Sequence, residues 1–113
     1  MNALISIQTN EKYEQMVSAR ELNQALGIQK RFSAWWEDQA HRLNLLESVD
    51  YTPYRQVHPQ NHQQIQDFLI TIDVAKHLAM ISGGENAHKI RNYFIQVERN
   101  WNSPDKIIAR ALE

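Results

Sequence analysis

The longest regular run of apolar positions lies between Glu85 and Trp101. Ala87, Ile90, Phe94, Val97 and Trp101 recur at steps of three and four, which places them on one stripe of an α-helix. Gly83-Gly84 stops whatever helix precedes it. Ser103-Pro104 closes it, because proline disfavours helical geometry in the residue before it. At about 1.5 Å per residue the helix is roughly 25 Å long, and a domain with one core is expected to lay its longest stripe along that core. Tyr93 and Ile95 fall off the stripe and predict a second buried face, against another layer or a partner subunit.

Further elements follow from shorter patterns. Leu4, Ile5 and Ile7 predict a first strand, ended by the polar turn Gln8-Thr9-Asn10-Glu11-Lys12, and Met16-Val17 a second that pairs back on it. Ser18-Ala19-Arg20-Glu21 is a capping box, in which the serine hydroxyl accepts from the Glu21 amide and Glu21 reaches back to the serine amide. Ala19, Leu22, Ala25 and Leu26 supply the stripe of the helix it opens. Gly27 ends that helix, since a left-handed residue costs glycine little. From about Arg31 to Leu43 a second helix carries Phe32, Trp35, Trp36, Gln39, Ala40 and Leu43 on one side. Helix, tight link and helix make a helix-turn-helix-like unit. Adjacent helical residues point about 100° apart, so Trp35 and Trp36 cannot share a pocket. Either one indole is a core residue and the other an exposed contact, or both lie between helix and sheet.

Residues 45–50 connect to a β-hairpin of Tyr51–His58 and Gln63–Thr71, rich in Tyr, Val, Ile and Phe, with a polar break at 59–62. Pro53, with no amide hydrogen to donate, belongs at the start or edge of its strand. The tip is either a wing that enters a groove or a solvated turn. Thr71 or Asp73 caps another helix, with Val74, Ala75, Leu78, Ala79 and Ile81 on its apolar side. After Pro104 the segment DKIIARALE restarts a helical pattern. The expected fold is a small α+β domain: a helix-turn-helix-like helical pair, a β-hairpin and two C-terminal helices. Residues 1–103 are expected to form the domain, and 104–113 a helical tail or linker toward a further C-terminal domain.

Composition narrows the function classes. The 113 residues, 42% of them hydrophobic, suit one domain with a real core. With no cysteine there is no disulfide framework or thiolate metal site, which suits a reducing, intracellular setting. The first residues lack the basic start and apolar core of a signal peptide, and no apolar run is long enough to span a membrane. Twelve Lys and Arg against thirteen Asp and Glu give a net charge of −1, which counts against bulk phosphate binding but leaves room for a local basic face.

Candidate chemistry is sparse. His58 with His62 and Asp73 with His77 are spaced by four, a spacing that lets helical side chains share a metal. The first pair straddles Pro59 in a loop, and the second reads more simply as a helix-surface pair. Gly83-Gly84-Glu85-Asn86 lacks the lysine and spacing of a phosphate loop, and no serine sits in a nucleophile elbow. No enzyme, metal or cofactor is expected. Residues that would form a partner or DNA contact surface around the 31–43 helix are Gln29, Lys30, Arg31, Ser33, Trp36 and Arg42. Lys30, Arg31 and Arg42 favour a phosphate backbone, whereas Glu37 and Asp38 inside the helix oppose it. Tyr93, Ile95, Ile107 and Ile108 are the apolar candidates for self-association.

Taken in order, Val17-Ser18-Ala19-Arg20-Glu21-Leu22, Leu26-Gly27, Lys30-Arg31-Phe32-Ser33 and Trp35 resemble the opening of the phage antirepressor domain of the AntA/AntB type. Val49-Asp50-Tyr51 is similar to the start of that family's hairpin. Asp73 through Met80 resembles its penultimate helix, and Ile90 through Glu98 its last. The resemblance covers about residues 17–99. Two features depart from it: the turn Gly83-Gly84-Glu85-Asn86 carries no Lys or Arg, and Trp36 replaces a more usual aliphatic residue. The resemblance implies a phage or prophage protein, cytoplasmic in the host bacterial cell. It would bind a lysogeny repressor, keep it from its operator and so act on the lysis–lysogeny switch; the two-faced last helix adds the expectation of a homo-oligomer. The related KilA-N and Bro-N domains imply an alternative, a sequence-specific DNA-binding transcription regulator that reads double-stranded DNA with the 31–43 helix. The two readings predict opposite salt behaviour.

Overall fold

The computed structural model describes residues 5–10, 12–57, 60–104, 107 and 111. Among these, two short strands, β1 (Gln8–Thr9) and β2 (Gln15–Ser18), lead into α1 (Ala19–Ala25) and α2 (Phe32–Arg42). The hairpin β3 (Tyr51–Val57) and β4 (Gln64–Thr71) follows, then α3 (Ile72–Ser82) and α4 (Glu85–Trp101). The four strands form one antiparallel sheet in the order β1-β2-β4-β3. This is the expected α+β class.

The first strand is displaced from its expected place. Gln8 and Thr9, expected in the turn, pair with Met16 and Gln15. The turn lies further on, where the Asn10 side chain accepts from the amides of Lys12 (2.9 Å) and Glu14 (2.9 Å), an Asx-type closure that needs no apolar signal. Ile5 serves the core instead of the ladder: it is buried, and its carbonyl accepts from the Tyr93 hydroxyl on α4 at 2.8 Å. β2 pairs with β1, and also with β4, Val17 opposite Ile70 and Ser18 opposite Leu69.

The caps form at the residues that signalled them. Ser18 Oγ accepts from the Glu21 amide at 3.2 Å, and Thr71 Oγ1 from the Val74 amide at 3.2 Å. The reciprocal arm of the first box goes elsewhere: the Glu21 carboxylate accepts from the Ser6 amide at 3.0 Å and so ties the N-terminal segment to α1. Gly27, with φ of +70°, takes the left-handed turn between α1 and α2. Pro53 lies on β3, an edge strand of the sheet, where its missing donor breaks no ladder bond on the solvent side.

The core gathers Val17, Leu22, Ile70, Leu78 and Phe94 with both tryptophans of α2. Trp35 and Trp36 are 2% and 5% exposed, so both lie between helix and sheet. The Trp36 indole stacks on Phe68 of β4, with centroids 4.3 Å apart and planes 13° apart, and meets Tyr51 of β3 edge-on at 5.3 Å. Such aromatic pairs add about 0.5–1.5 kcal/mol beyond their buried area and clamp α2 onto the hairpin. α4 keeps its expected bounds and packs chiefly against α3, with Ile90 and Phe94 in the core. Ala87, Ile90 and Phe94 are buried, whereas Val97 and Trp101 are only partly so.

Candidate functional site

The most heavily bonded polar group in the described core is Asp67, in the middle of β4 and fully buried. Its carboxylate accepts from the Ser18 hydroxyl, the Arg20 amide (3.1 Å), the Tyr54 hydroxyl (2.8 Å) and Gln56 Nε2 (2.8 Å). Strand alternation puts it on the face opposite Phe68, and hairpin pairing places Tyr54 directly across from it. Two of its donors, the Ser18 hydroxyl and the Arg20 amide, belong to the cap and first turn of α1, so Asp67 satisfies otherwise unpaired groups at a positive helix end. Burial, then the hydrogen bond to Asp67 and its negative charge, push the Tyr54 phenol up from 10.0 to about 12. The Arg20 guanidinium leaves this cluster for the other side, donating to the Gln66 carbonyl at 2.6 Å and lying 4.3 Å over the Phe32 ring. Sequence reading missed the cluster, although an aspartate inside the run QIQDFLIT is a signal, because β-strands are depleted in Asp.

Of the residues expected at a partner surface, Gln29, Lys30, Arg31, Ser33 and Arg42 are exposed around the α1–α2 turn and along α2. Trp36 is buried, and no free indole stands out as a contact point there. Lys30 Nζ and Arg42 Nη2 both lie near Asp38 Oδ2, at 3.8 and 3.7 Å. One carboxylate thus meets two of the three basic side chains expected to face a polyanion. Beside them Trp36, Phe32, Tyr51 and Phe68 line an aromatic groove of about 330 Å³ with Arg20 and Glu37 at its rim.

The self-association candidates scatter. Tyr93 is half-buried and packs against the core; Ile95 is half-buried on α4; Ile107 is exposed and helical, its amide donating to Ser103 O at 3.0 Å. Ile108 lies outside the described residues, as do His58 and Pro59. Asp73 and His77 form a surface pair at 3.4 Å. Among the described residues, no His, Cys, Asp and Glu group is arranged to hold a metal, and no helix is long and apolar enough to cross a membrane.

Fold and surface define the class, a small α+β domain with an antiparallel sheet buttressed by helices and a mixed-charge helical edge. The chain belongs to the AntA/AntB antirepressor family, whose pattern it matches over residues 17–83. That span runs from β2 to the end of α3 and contains the whole Asp67 cluster; it stops short of α4. The family is regulatory, not enzymatic. No curated protein and no solved structure matches the chain.

Proposed function

We propose that this domain is the protein-binding module of a phage or prophage antirepressor, which engages a lysogeny repressor and blocks its hold on the operator. The family match carries the reading. The surface supports it over direct DNA reading. Net charge is −1, and Asp38 sits against Lys30 and Arg42 at the edge of the helix that would enter a groove. A polyanion would have to compete with that carboxylate. The DNA-binding alternative keeps a specific basis in the exposed Lys30 and Arg31 beside a helical pair. Self-association through Ile95 and Ile107, at the outer side of α4 and the segment after it, completes the proposal.

The test is a pull-down with the tagged domain from a lysogen lysate, run with and without nuclease. Recovery of the repressor, identified by mass spectrometry, after nuclease treatment supports the protein-directed reading. Loss of all captured material on nuclease treatment contradicts it and favours DNA.

A further inference from the structure

Charged side chains that leave water are usually paired with an opposite charge. Arg20 departs from this. It is only partly exposed, and among the described residues its guanidinium forms no ion pair with a carboxylate. The group is nevertheless fixed. Nε donates to the Gln66 carbonyl at 2.6 Å, and Cζ lies 4.3 Å over the Phe32 ring. Nη1 and Nη2, the end of the fork that clasps a carboxylate, bond to no other group among the described residues. Lys30 and Arg42, by contrast, already share Asp38.

The surroundings of Arg20 define what it would meet. It borders the groove of about 330 Å³ whose walls are Phe32, Trp36, Tyr51 and Phe68, with Glu37 at the rim. Trp36 and Phe68 are stacked and Tyr51 stands edge-on to both, so the aromatic wall is rigid. Tyr51 and Phe68 keep part of their surface open. A fixed guanidinium beside aromatic surface complements a carboxylate beside an apolar side chain. A plain hydrocarbon would leave the guanidinium unpaired. A nucleic-acid strand would bring its phosphates past the Glu37 carboxylate, which repels them.

We infer that this groove takes an acidic peptide segment of a protein partner. One carboxylate accepts from Nη1 and Nη2 of Arg20, and a neighbouring apolar side chain covers Tyr51 and Phe68. Because Gln66 and Phe32 already hold the fork, it loses little freedom on binding. The inference rests on the protein-directed reading above and deepens it by naming the chemistry of the segment that docks.

The probe is the blocked tripeptide acetyl-Leu-Glu-Leu-amide, with acetyl-Leu-Gln-Leu-amide as its neutral twin. Each is titrated into the full-length protein at low salt and followed by the Trp36 indole resonance in a ¹H–¹⁵N correlation spectrum. Binding of so small a peptide is expected near about 1 mM. The expected result is a saturable shift with the acidic peptide and at least about tenfold weaker binding of its twin, as one charge-assisted contact is lost. Arg20→Gln should erase that difference. Glu37→Gln, at an exposed position, should tighten the acidic peptide at least about twofold by removing a like charge, and it decides the matter if Arg20→Gln does not fold. An unmoved Trp36 resonance, equal binding of the two peptides, or an acidic peptide that binds Glu37→Gln no more tightly overturns the proposal. Thymidine 5′-monophosphate is the third probe: displacement of the acidic peptide by it would assign the groove to nucleic acid and overturn the proposal too. The titrations contain no repressor, so the groove and the antirepressor reading, which the pull-down tests, fail separately.

Discussion

Asp67 concentrates more donors than any other side chain in the described core, and its partners come from β2, β3 and α1. Asp67→Ala strands several of them in a water-poor site, where each unsatisfied group costs about 1–3 kcal/mol. A loss of at least about 3 kcal/mol in urea unfolding is expected. The Tyr54 phenol, raised from 10.0 to about 12, makes a second prediction. Its folded value lies above its unfolded one, so the stability it contributes is fully present below pH 10 and is lost as pH rises through about 12. Ultraviolet titration should show one tyrosine ionising late, and Asp67→Asn should bring it back toward 10 by removing the neighbouring charge. A Tyr54 that titrates near 10 would show that the cluster is open to water. An aspartate inside a strand-like run was the one legible signal; its partners were not, because the Ser18–Asp67 bond joins residues 49 apart in sequence and no local pattern encodes it.

At the scale of elements, local signals carried far. The bounds of α4 follow from Gly83-Gly84 and Ser103-Pro104, and α2 from a stripe of aromatics, because both are set by chemistry within a turn of the boundary. β1 was displaced because its pairing is a backbone matter, whereas Ile5 is drawn to α4; Leu4 lies outside the described residues. α4 lies along the core as expected through Ala87, Ile90 and Phe94, while Val97 and Trp101 are only partly buried: an apolar stripe says that a face is covered, not how deeply. Phe94, fully buried, should cost about 3–5 kcal/mol when cut to alanine. Trp101 is partly exposed and should cost clearly less, and equal losses in thermal melting would mean that α4 lies deeper than it does here. Gly84 links α3 to α4 with φ of 91° and ψ of 175°, a conformation close to glycine-only. Gly84→Ala should therefore lose about 1–3 kcal/mol although nothing beyond its chain neighbours lies within 4 Å of the added methyl.

Across the whole molecule, the order of motifs along the sequence resembled the family before any geometry was known, and the match over residues 17–83 bears that resemblance out. The charge pattern of the α2 edge was legible only in part, since it depends on the rotamers that bring Asp38 within 3.8 Å of Lys30 and 3.7 Å of Arg42. The central claim is that the domain acts on a repressor protein and not on DNA. Fluorescence anisotropy of a labelled operator tests it most directly, with the repressor from a lysogen encoding this protein bound first and the domain then added. Release of the operator at near-stoichiometric domain, with no anisotropy change when the domain meets the operator alone, is the predicted result. The contradicting result is an operator that stays bound to its repressor, or one that the domain binds by itself with an affinity falling by about 0.9 log units per phosphate contact for each tenfold rise in salt.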